Sequence, residues 1–191
     1  MALINNPLTI VNNPSYDIKG YVRMTDSKLL DENFSLLSVN FSNNFEIKVR
    51  IKKPIAYGTD TNEVFFTTGT QSAPSYAVIA LCVDIGQFVL YSNGSQAVEK
   101  GLNCNLNTTN LNTWVDFYLT HENGTMTMSA YDLNGNLIAT TTVSNTPTNT
   151  SVNIKLGGNG SGGWYDYPNH EVVDINNSYI KVNGSLVWGK E

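Results

Sequence analysis

The chain has 191 residues, of which 14% are charged, and its formal net charge at pH 7 is −5. Such an acidic chain is a poor partner for nucleic acid or for an anionic membrane, because clustered Lys and Arg residues bind both. Its 41% hydrophobic and 10% aromatic content excludes a disordered chain, and its length suits one domain with a sizeable core. The longest apolar run, residues 76–83, is far shorter than the roughly 20 residues of a membrane-spanning helix.

Residues 1–15 are rich in Asn and Pro and are predicted to form an N-terminal arm or an edge strand. Such an arm is ordered only if it is tied down, either on its own domain or on a neighbouring subunit. Residues 16–191 are predicted to form a single domain. The N-terminus has neither the charged nor the apolar region of a secretory signal, so we expect synthesis in the cytoplasm or removal of a leader.

Residues 45–53 predict a strand, because Ile47, Val49 and Ile51 alternate with charged residues before Pro54. We interpret the charged stripe on the other face as a solvated surface that discourages edge-to-edge pairing. Contact with an acidic partner is the alternative.

Further strands are predicted over residues 63–67, 76–83 and 87–91. The second of these has almost no polar alternation, which is typical of a strand that is buried on both faces. Residues 99–112 are polar and weakly patterned, and they are predicted to form a connecting loop.

Residues 114–143 have the clearest pattern, with three alternating runs separated by Asn123-Gly124 and Asn134-Gly135. Asn-Gly between alternating runs indicates a hairpin with a type I′ turn, in which both central residues have positive φ. This stretch therefore predicts an antiparallel meander. The many short strands, with no convincing helix, predict an all-β sandwich or barrel. The remaining strands are predicted at residues 152–156, 172–175, 178–182 and 186–188.

Four segments resemble one family when they are taken in order: residues 113–117, 131–135, 153–158 and 174–188. Their succession of a Trp strand, a hairpin, a Leu-Gly strand and a returning Asp-Ile strand resembles concanavalin A-like, laminin-G-like jelly-roll domains. The last segment resembles the end of such domains in bacteriophage tail, fibre and other virion appendage proteins. The resemblance implies a two-sheet antiparallel jelly-roll β-sandwich.

From this resemblance we expect a non-enzymatic bacteriophage virion protein, in a tail, fibre or capsid appendage, that acts by surface contact. Its expected location is the virion, and its expected partners are other virion subunits and a host-surface glycan. The resemblance also implies a homo-oligomer, a trimer if the protein is a fibre tip. A free-standing carbohydrate-binding lectin is the first alternative, and a glycoside hydrolase is the second.

A glycoside hydrolase requires two carboxyl groups on one face of its site. The nearest fragment, residues 171–176, only loosely resembles the Glu-x-Asp-x-x-Glu strand of laminarinase-like hydrolases, and Asn176 stands where a carboxylate is needed. Strand alternation would place Glu171 and Asp174 on opposite faces. We therefore expect no enzymatic activity.

The strongest candidate for ligand binding follows the five glycines of residues 157–163. Aromatic rings pack against the C–H face of a sugar, while amides and carboxylates bind its hydroxyl groups. As alternatives, these aromatic side chains close the end of the sandwich or lie in a subunit interface. The candidate binding residues are Trp164, Tyr165, Asp166, Tyr167, Asn169 and His170.

Other aromatic residues are given structural roles by their position. Trp114 and Trp188 lie in alternating strands and are predicted to pack in the core or against the sheet. Tyr91 and Tyr131 flank turns and are predicted to lie on the rim. His121, in a predicted tight turn, is expected to be solvated.

Cysteines and acidic residues suggest neither a covalent framework nor a metal. Cys82 lies in an apolar run and is predicted to be a core residue; a disulfide with Cys104 is possible but not required at this chain length. No Cys/His spacing is typical of a metal site, and Asp60, Asp132 and Asp166 are not clustered. We expect no metal and no cofactor.

Overall fold

All the regular elements that the structure describes are β-strands. The structure is a computed structural model, and no helix occurs in the described ranges. This part of the chain is therefore all-β, as predicted. The described residues are 9–11, 21–23, 29–32, 39–53, 56, 63–68, 78–84, 86–93, 97–148, 151–152, 154–156 and 172–191.

The strands form two large antiparallel sheets and one two-stranded pair. In chain order they are β1 (Thr9–Val11), β2 (Tyr21–Arg23), β3 (Leu29–Glu32), β4 (Val39–Asn40), β5 (Phe45–Lys52), β6 (Glu63–Thr68), β7 (Ile79–Asp84), β8 (Gln87–Asn93), β9 (Ala97–Asn103), β10 (Trp114–Glu122), β11 (Thr125–Tyr131), β12 (Leu137–Ser144), β13 (Ser151–Val152), β14 (Ile154–Leu156), β15 (Val172–Val182) and β16 (Ser185–Gly189). The front sheet has the order β12-β11-β10-β5-β15-β16, with β2 beside β15. The back sheet has the order β1-β3-β14-β6-β7-β8-β9, while β4 pairs with β13. The two-sheet antiparallel sandwich is confirmed.

Strands β5 and β10 in the middle of the front sheet follow a two-residue alternation. Buried and half-buried residues alternate along the whole of β5, and β10 places Val115, Phe117 and Leu119 in the core. The register pairs Asp116 of β10 with Arg50 of β5. Because alternate side chains of a strand point to opposite faces, the apolar residues of both strands, Phe45 and Phe117 included, face the back sheet. Their charged residues face outward, as do Trp114 and Tyr118.

The hydrophobic core between the sheets includes a cluster of three phenylalanines. Phe88 and Phe117 come from opposite sheets, and their ring centroids are 4.6 Å apart. Phe65 packs edge-on against both, at 5.8 and 5.9 Å. Aromatic pairs of this kind contribute about 0.5–1.5 kcal/mol each beyond the burial of their area. Trp188 is buried in the same core, as predicted.

Strand β7 is buried on both faces, as its sequence predicts. Its alternate residues from Ile79 to Val83 lie in the main core, whereas Ala80 and Cys82 lie in a second buried cluster on the other face of the back sheet. The rim position predicted for Tyr91 is wrong. Tyr91 is opposite Ala80 in the register and is buried in the second cluster.

Cys82 and Cys104 are both buried thiols, the first in the second cluster and the other in the main core. The disulfide that the sequence left open is not formed. Burial raises the pKa of the Cys104 thiol to about 12, because a thiolate is poorly solvated in apolar surroundings.

Two hairpins have the turn that Asn-Gly predicts. Asn123-Gly124 joins β10 to β11 with φ of 50° and 78°, and Asn183-Gly184 joins β15 to β16 with φ of 48° and 76°. Each is a two-residue loop with two positive φ angles, the geometry of a type I′ turn. The meander of β10, β11 and β12 is confirmed.

The type I′ turn predicted at Asn134-Gly135 is wrong. Only Gly135 of the pair has a positive φ, 82°, and the loop extends from Asp132 to Asn136. The reason is the Asp132 carboxylate, whose Oδ1 accepts hydrogen bonds from the backbone N–H of Asn134 (2.9 Å) and Asn136 (2.8 Å). These bonds stabilise a wider loop, and the register of β11 with β12 shifts between Ala130 and Tyr131.

Two other boundaries differ from the prediction. Residues 99–103, predicted as the start of a loop, belong to the edge strand β9, because pairing with β8 orders a segment whose sequence has no clear apolar and polar alternation. Residues 172–182 form one strand, β15, rather than two, since an irregularity between Asp174 and Tyr179 absorbs the break. Strand β1, inside the predicted arm or edge strand, is the edge of the back sheet.

We expect Gly189→Ala to lower the free energy of unfolding by about 3 kcal/mol, because it adds left-handed backbone strain and a steric clash. Gly189 has φ of 80°, and an added Cβ would lie 2.1 Å from the Ser178 carbonyl oxygen. Gly184→Ala is the matched control: φ is 76° and no atom lies within 4 Å of the new Cβ, so we expect about 1 kcal/mol. Urea unfolding measures both, and equal losses would contradict the clash.

Candidate functional site

The outer face of the front sheet carries a group of aromatic and charged side chains. Tyr118 and Tyr131, on neighbouring strands, meet edge to face with ring centroids 5.5 Å apart and an interplanar angle of 88°. The Lys48 ammonium lies 5.6 Å from the Tyr118 ring and 6.0 Å from the Tyr179 ring. Lys52 lies 5.1 Å from the Trp114 ring. The rings on this face therefore have neighbours that limit their rotation.

An ion cluster holds the centre of this face. Asp116 accepts two hydrogen bonds from the Arg50 guanidinium, from Nε at 2.6 Å and from Nη2 at 2.8 Å. The Lys48 ammonium is 3.2 Å from the same carboxylate. A bidentate pair of this kind is among the strongest hydrogen-bonded contacts in proteins and fixes both partners geometrically.

Burial by itself would raise the pKa of Asp116, but the Arg50 hydrogen bonds and the Lys48 charge outweigh it and lower that pKa below its ordinary value of 3.8. The hydrogen bond to Asp116 likewise raises the pKa of Arg50, although burial opposes the change. Asp116 is therefore an ionised acceptor at neutral pH.

Asp174 lies on the same face, opposite Arg50 in the register of β15 with β5. Its carboxylate accepts hydrogen bonds from the Asn176 backbone N–H (3.1 Å) and from Asn177 Nδ2 (2.7 Å). Its carbonyl accepts one from the Ser178 hydroxyl at 2.7 Å, and this hydroxyl accepts the Arg50 backbone N–H at 3.1 Å. Asp174 thus organises the irregularity in β15. Glu171, its partner in the hydrolase alternative, lies outside the described residues.

An open depression of about 550 Å³ lies over β10 and β11 on this face. Tyr118 and Tyr131 contribute its aromatic surface, three hydroxyl side chains contribute hydrogen-bonding groups, and the β11–β12 loop forms one end. Its volume falls in the range of small-molecule sites, roughly 300–1,000 Å³. The lining residues are Asp116, Tyr118, Thr120, Thr127, Ser129, Tyr131, Asp132, Leu133 and Gly135.

Asp132 is fixed at the loop end of this larger depression. Besides the two backbone hydrogen bonds to Oδ1, its Oδ2 accepts one from Asn136 Nδ2 at 2.8 Å. Hydrogen bonds from Asn136, and then from Asn134, hold the pKa of Asp132 below its ordinary value. Leu133 beside it is 53% exposed. The depression therefore has an ionised acceptor and an apolar side chain at the same end.

A smaller depression of about 260 Å³ lies farther along β10 and shares Thr120 with the larger one. The solvated position predicted for His121 beside it is wrong, since His121 is 3% exposed. Its Nδ1 is 2.8 Å from the Asn43 carbonyl oxygen, and its ring stacks on Phe45 with centroids 5.4 Å apart. The type I′ turn occupies only Asn123-Gly124, so His121 stays in the strand on its core-facing side.

The sequence predicts a binding site in a different segment of the chain. The six predicted residues of 164–170 (Trp164, Tyr165, Asp166, Tyr167, Asn169 and His170) lie outside the described residues and remain a prediction. Tyr131 lines the larger depression, and Trp114 is half-buried against the outer face of the sheet, one of the two positions predicted for it. The signal for Asp116 and Tyr118 was their alternation with core residues in β10, but the sequence did not show which strand lies beside them on the outer face.

Within the described ranges, no three His, Cys, Asp or Glu side chains are grouped so that they could hold a metal ion. The described residues also include no helix that is long and apolar enough to cross a membrane.

The fold defines a class, the two-sheet β-sandwich, and solved structures share this fold. No protein-family model matches the chain, and no curated protein sequence matches it. The receptor-binding domain of botulinum neurotoxin C/D mosaic serotype is similar over 96% of this chain and 44% of its own length, with a TM-score of 0.64 and 13% identity. A Trypanosoma rangeli sialidase is similar over 93% of this chain and 27% of its own, with a TM-score of 0.58 and 12% identity.

A third similar structure, of botulinum neurotoxin type C, covers 94% of this chain and 42% of its own, with a TM-score of 0.58 and 13% identity. Cell entry of that toxin depends on interaction with two ganglioside molecules. The chain thus spans less than half of the length of each of these three structures. At these identities, the likenesses show the fold, a jelly-roll-like sandwich.

We expect Asp116→Asn to lower the free energy of unfolding by about 2 kcal/mol at neutral pH, because it leaves Arg50 and Lys48 without their carboxylate. The folded pKa of Asp116 is below its ordinary 3.8. Its ion pairs therefore stabilise the fold above that pH, and this contribution is lost as the pH falls through the folded pKa. Urea unfolding of both proteins from neutral pH downward should show the difference shrinking in acid. A difference that is the same at every pH would contradict this account.

Proposed function

We propose that the chain is a non-enzymatic carbohydrate-binding protein whose ligand lies in the larger depression of the front sheet. The observation that carries the proposal is the pair of tyrosines, Tyr118 and Tyr131, beside two fixed carboxylates, Asp116 and Asp132, in one open site. A sugar ring presents an apolar C–H face and a rim of hydroxyl groups. Aromatic rings complement the first, and ionised acceptors complement the second.

Preorganisation supports this reading. Asp116 is held by Arg50 and Lys48, and Asp132 by three hydrogen bonds from its own loop. Side chains that are already fixed lose little conformational entropy when a ligand binds. The hydroxyl side chains of Thr120, Thr127 and Ser129 add donors and acceptors between the two carboxylates.

The carboxylates support binding rather than hydrolysis. A glycosidase needs a general acid whose pKa is raised, so that it can protonate the leaving oxygen near neutral pH. The two carboxyl groups that line the larger depression, Asp116 and Asp132, both have lowered pKa values. Neither is suited to donate a proton near neutral pH, which supports binding over hydrolysis by a pair of carboxyl groups. Sialidases, the class of one similar structure, use a tyrosine nucleophile and stand outside this argument.

The ligand is proposed to be an oligosaccharide rather than a single sugar. The two depressions are adjacent, since Thr120 lines both, and a ligand that occupied both would be longer than a single sugar. The ganglioside dependence of the similar neurotoxin supports a glycan as the ligand class for a protein of this fold. That support does not extend to the acidic sugar that a ganglioside carries, and the matched part is less than half of that chain.

The sequence resemblance alone supports the virion part of the proposal. In that part, the chain is a homo-oligomeric bacteriophage appendage protein that contacts host glycan or other virion subunits. A free-standing lectin is the second candidate. Genome neighbourhood separates the two, since structural genes of a phage beside this gene are expected only for the first.

A glycan array probed with the isolated protein tests the function, followed by calorimetric titration of the best oligosaccharide. We expect Tyr118→Ala and Tyr131→Ala each to weaken binding by about tenfold, because each removes an aromatic contact with the sugar. Leu137→Ala is the control: Leu137 is 54% exposed on β12 and does not line the depression. Its affinity should equal that of the wild type.

Trp164→Ala distinguishes this site from the loop predicted by sequence. Loss of binding in Trp164→Ala, with no change in Tyr118→Ala and Tyr131→Ala, would move the site to residues 164–170. An array without any bound glycan would refute the carbohydrate-binding proposal. Thermal unfolding of each variant checks that it is folded at the temperature of the titration.

A further inference from the structure

We infer that the oligosaccharide is neutral where it meets the β11–β12 loop, and that the fixed carboxylate of Asp132 discriminates there against sugars that bear a carboxylate. This inference rests on the proposed function and specifies its ligand class. Of the residues that line the larger depression, the charged ones are Asp116 and Asp132, and the others are Tyr, Thr, Ser, Leu and Gly. No Lys or Arg belongs to this described lining.

The cations that β5 places on the same face are already engaged. Lys48 and Arg50 both contact Asp116, and Lys52 lies over the Trp114 ring. Lys181 of β15 lines the smaller depression together with Glu46 and Glu122; it is hydrogen-bonded to Glu191 and lies 4.9 Å from the Tyr179 ring. Lys48 and Arg50 compensate the charge of the buried Asp116 carboxylate, whereas the three hydrogen bonds to Asp132 come from uncharged amide groups. The charge that an acidic sugar would meet uncompensated in the larger depression is therefore that of Asp132.

Asp132 cannot turn away from an incoming anion at low cost. Three hydrogen bonds hold its two oxygens. Rotation of the carboxylate would break these bonds, which stabilise the β11–β12 loop. Hydroxyl groups of a neutral sugar are donors and satisfy such acceptors, whereas a sugar carboxylate brings a like charge against them. Like charges placed together in this way reduce affinity and are a common means of specificity.

Matched glycan pairs test the inference. Each pair contains a neutral oligosaccharide and the same oligosaccharide with a terminal sialic acid or glucuronic acid. Binding to the two members is compared first on an array at equal density and then by titration with the free oligosaccharides in solution. We expect the acidic member to bind more weakly by about tenfold or more. Equal or tighter binding of the acidic members would overturn the inference and leave the proposed function standing. Failure of both members of every pair to bind would overturn the proposed function itself, and with it this inference.

A charge-matched pair of variants separates a local effect from the negative charge of the whole protein. Asp132→Asn removes one charge at the depression and should reduce the discrimination between the two members several-fold. Glu99→Gln removes one charge on β9 of the back sheet, where Glu99 is exposed and accepts a hydrogen bond from Tyr91. It should leave the discrimination unchanged. The same change in both variants would assign the effect to net charge and contradict the role of Asp132.

Discussion

The register between β5 and β10 is the constraint on which both the core and the candidate site depend. Opposite Arg50 stands Asp116, and opposite Lys48 stands Tyr118. A slip of one residue would move every side chain of a strand to the other face, burying the ion cluster and exposing Phe117. The charge-assisted hydrogen bonds between Arg50 and Asp116 thus oppose such a slip, and the apolar packing on the inner face opposes it from the other side.

Local sequence predicted the elements whose pattern is strong. The alternation of β5, the doubly buried β7 and the turn at Asn123-Gly124 each follow from residues that are close together in the chain, and each is confirmed. Segments whose structure is decided by a specific contact, rather than by their own sequence pattern, were predicted wrongly. The Asp132 side chain widens the loop at Asn134-Gly135, and pairing with β8 turns a polar segment into β9.

The site was harder to predict because its parts are distant in sequence. Arg50 and Asp116 are 66 residues apart, so the sequence presented a basic stripe on β5 and an aromatic, acidic stripe on β10 without any sign that the two strands are neighbours. Pairing of distant strands is a property of the whole fold rather than of either segment. The aromatic run at residues 164–170 is contiguous and for that reason was visible; whether it shares in binding remains a prediction.

The two native thiols have a practical consequence. Alkylating reagents attack the thiolate, and burial both shields Cys104 and raises its pKa to about 12, while Cys82 is wholly enclosed. A single cysteine introduced at an exposed position would therefore be the preferred target for maleimide dyes or surface coupling in the folded protein. Fluorescent or immobilised forms can be made with the wild-type cysteines left in place.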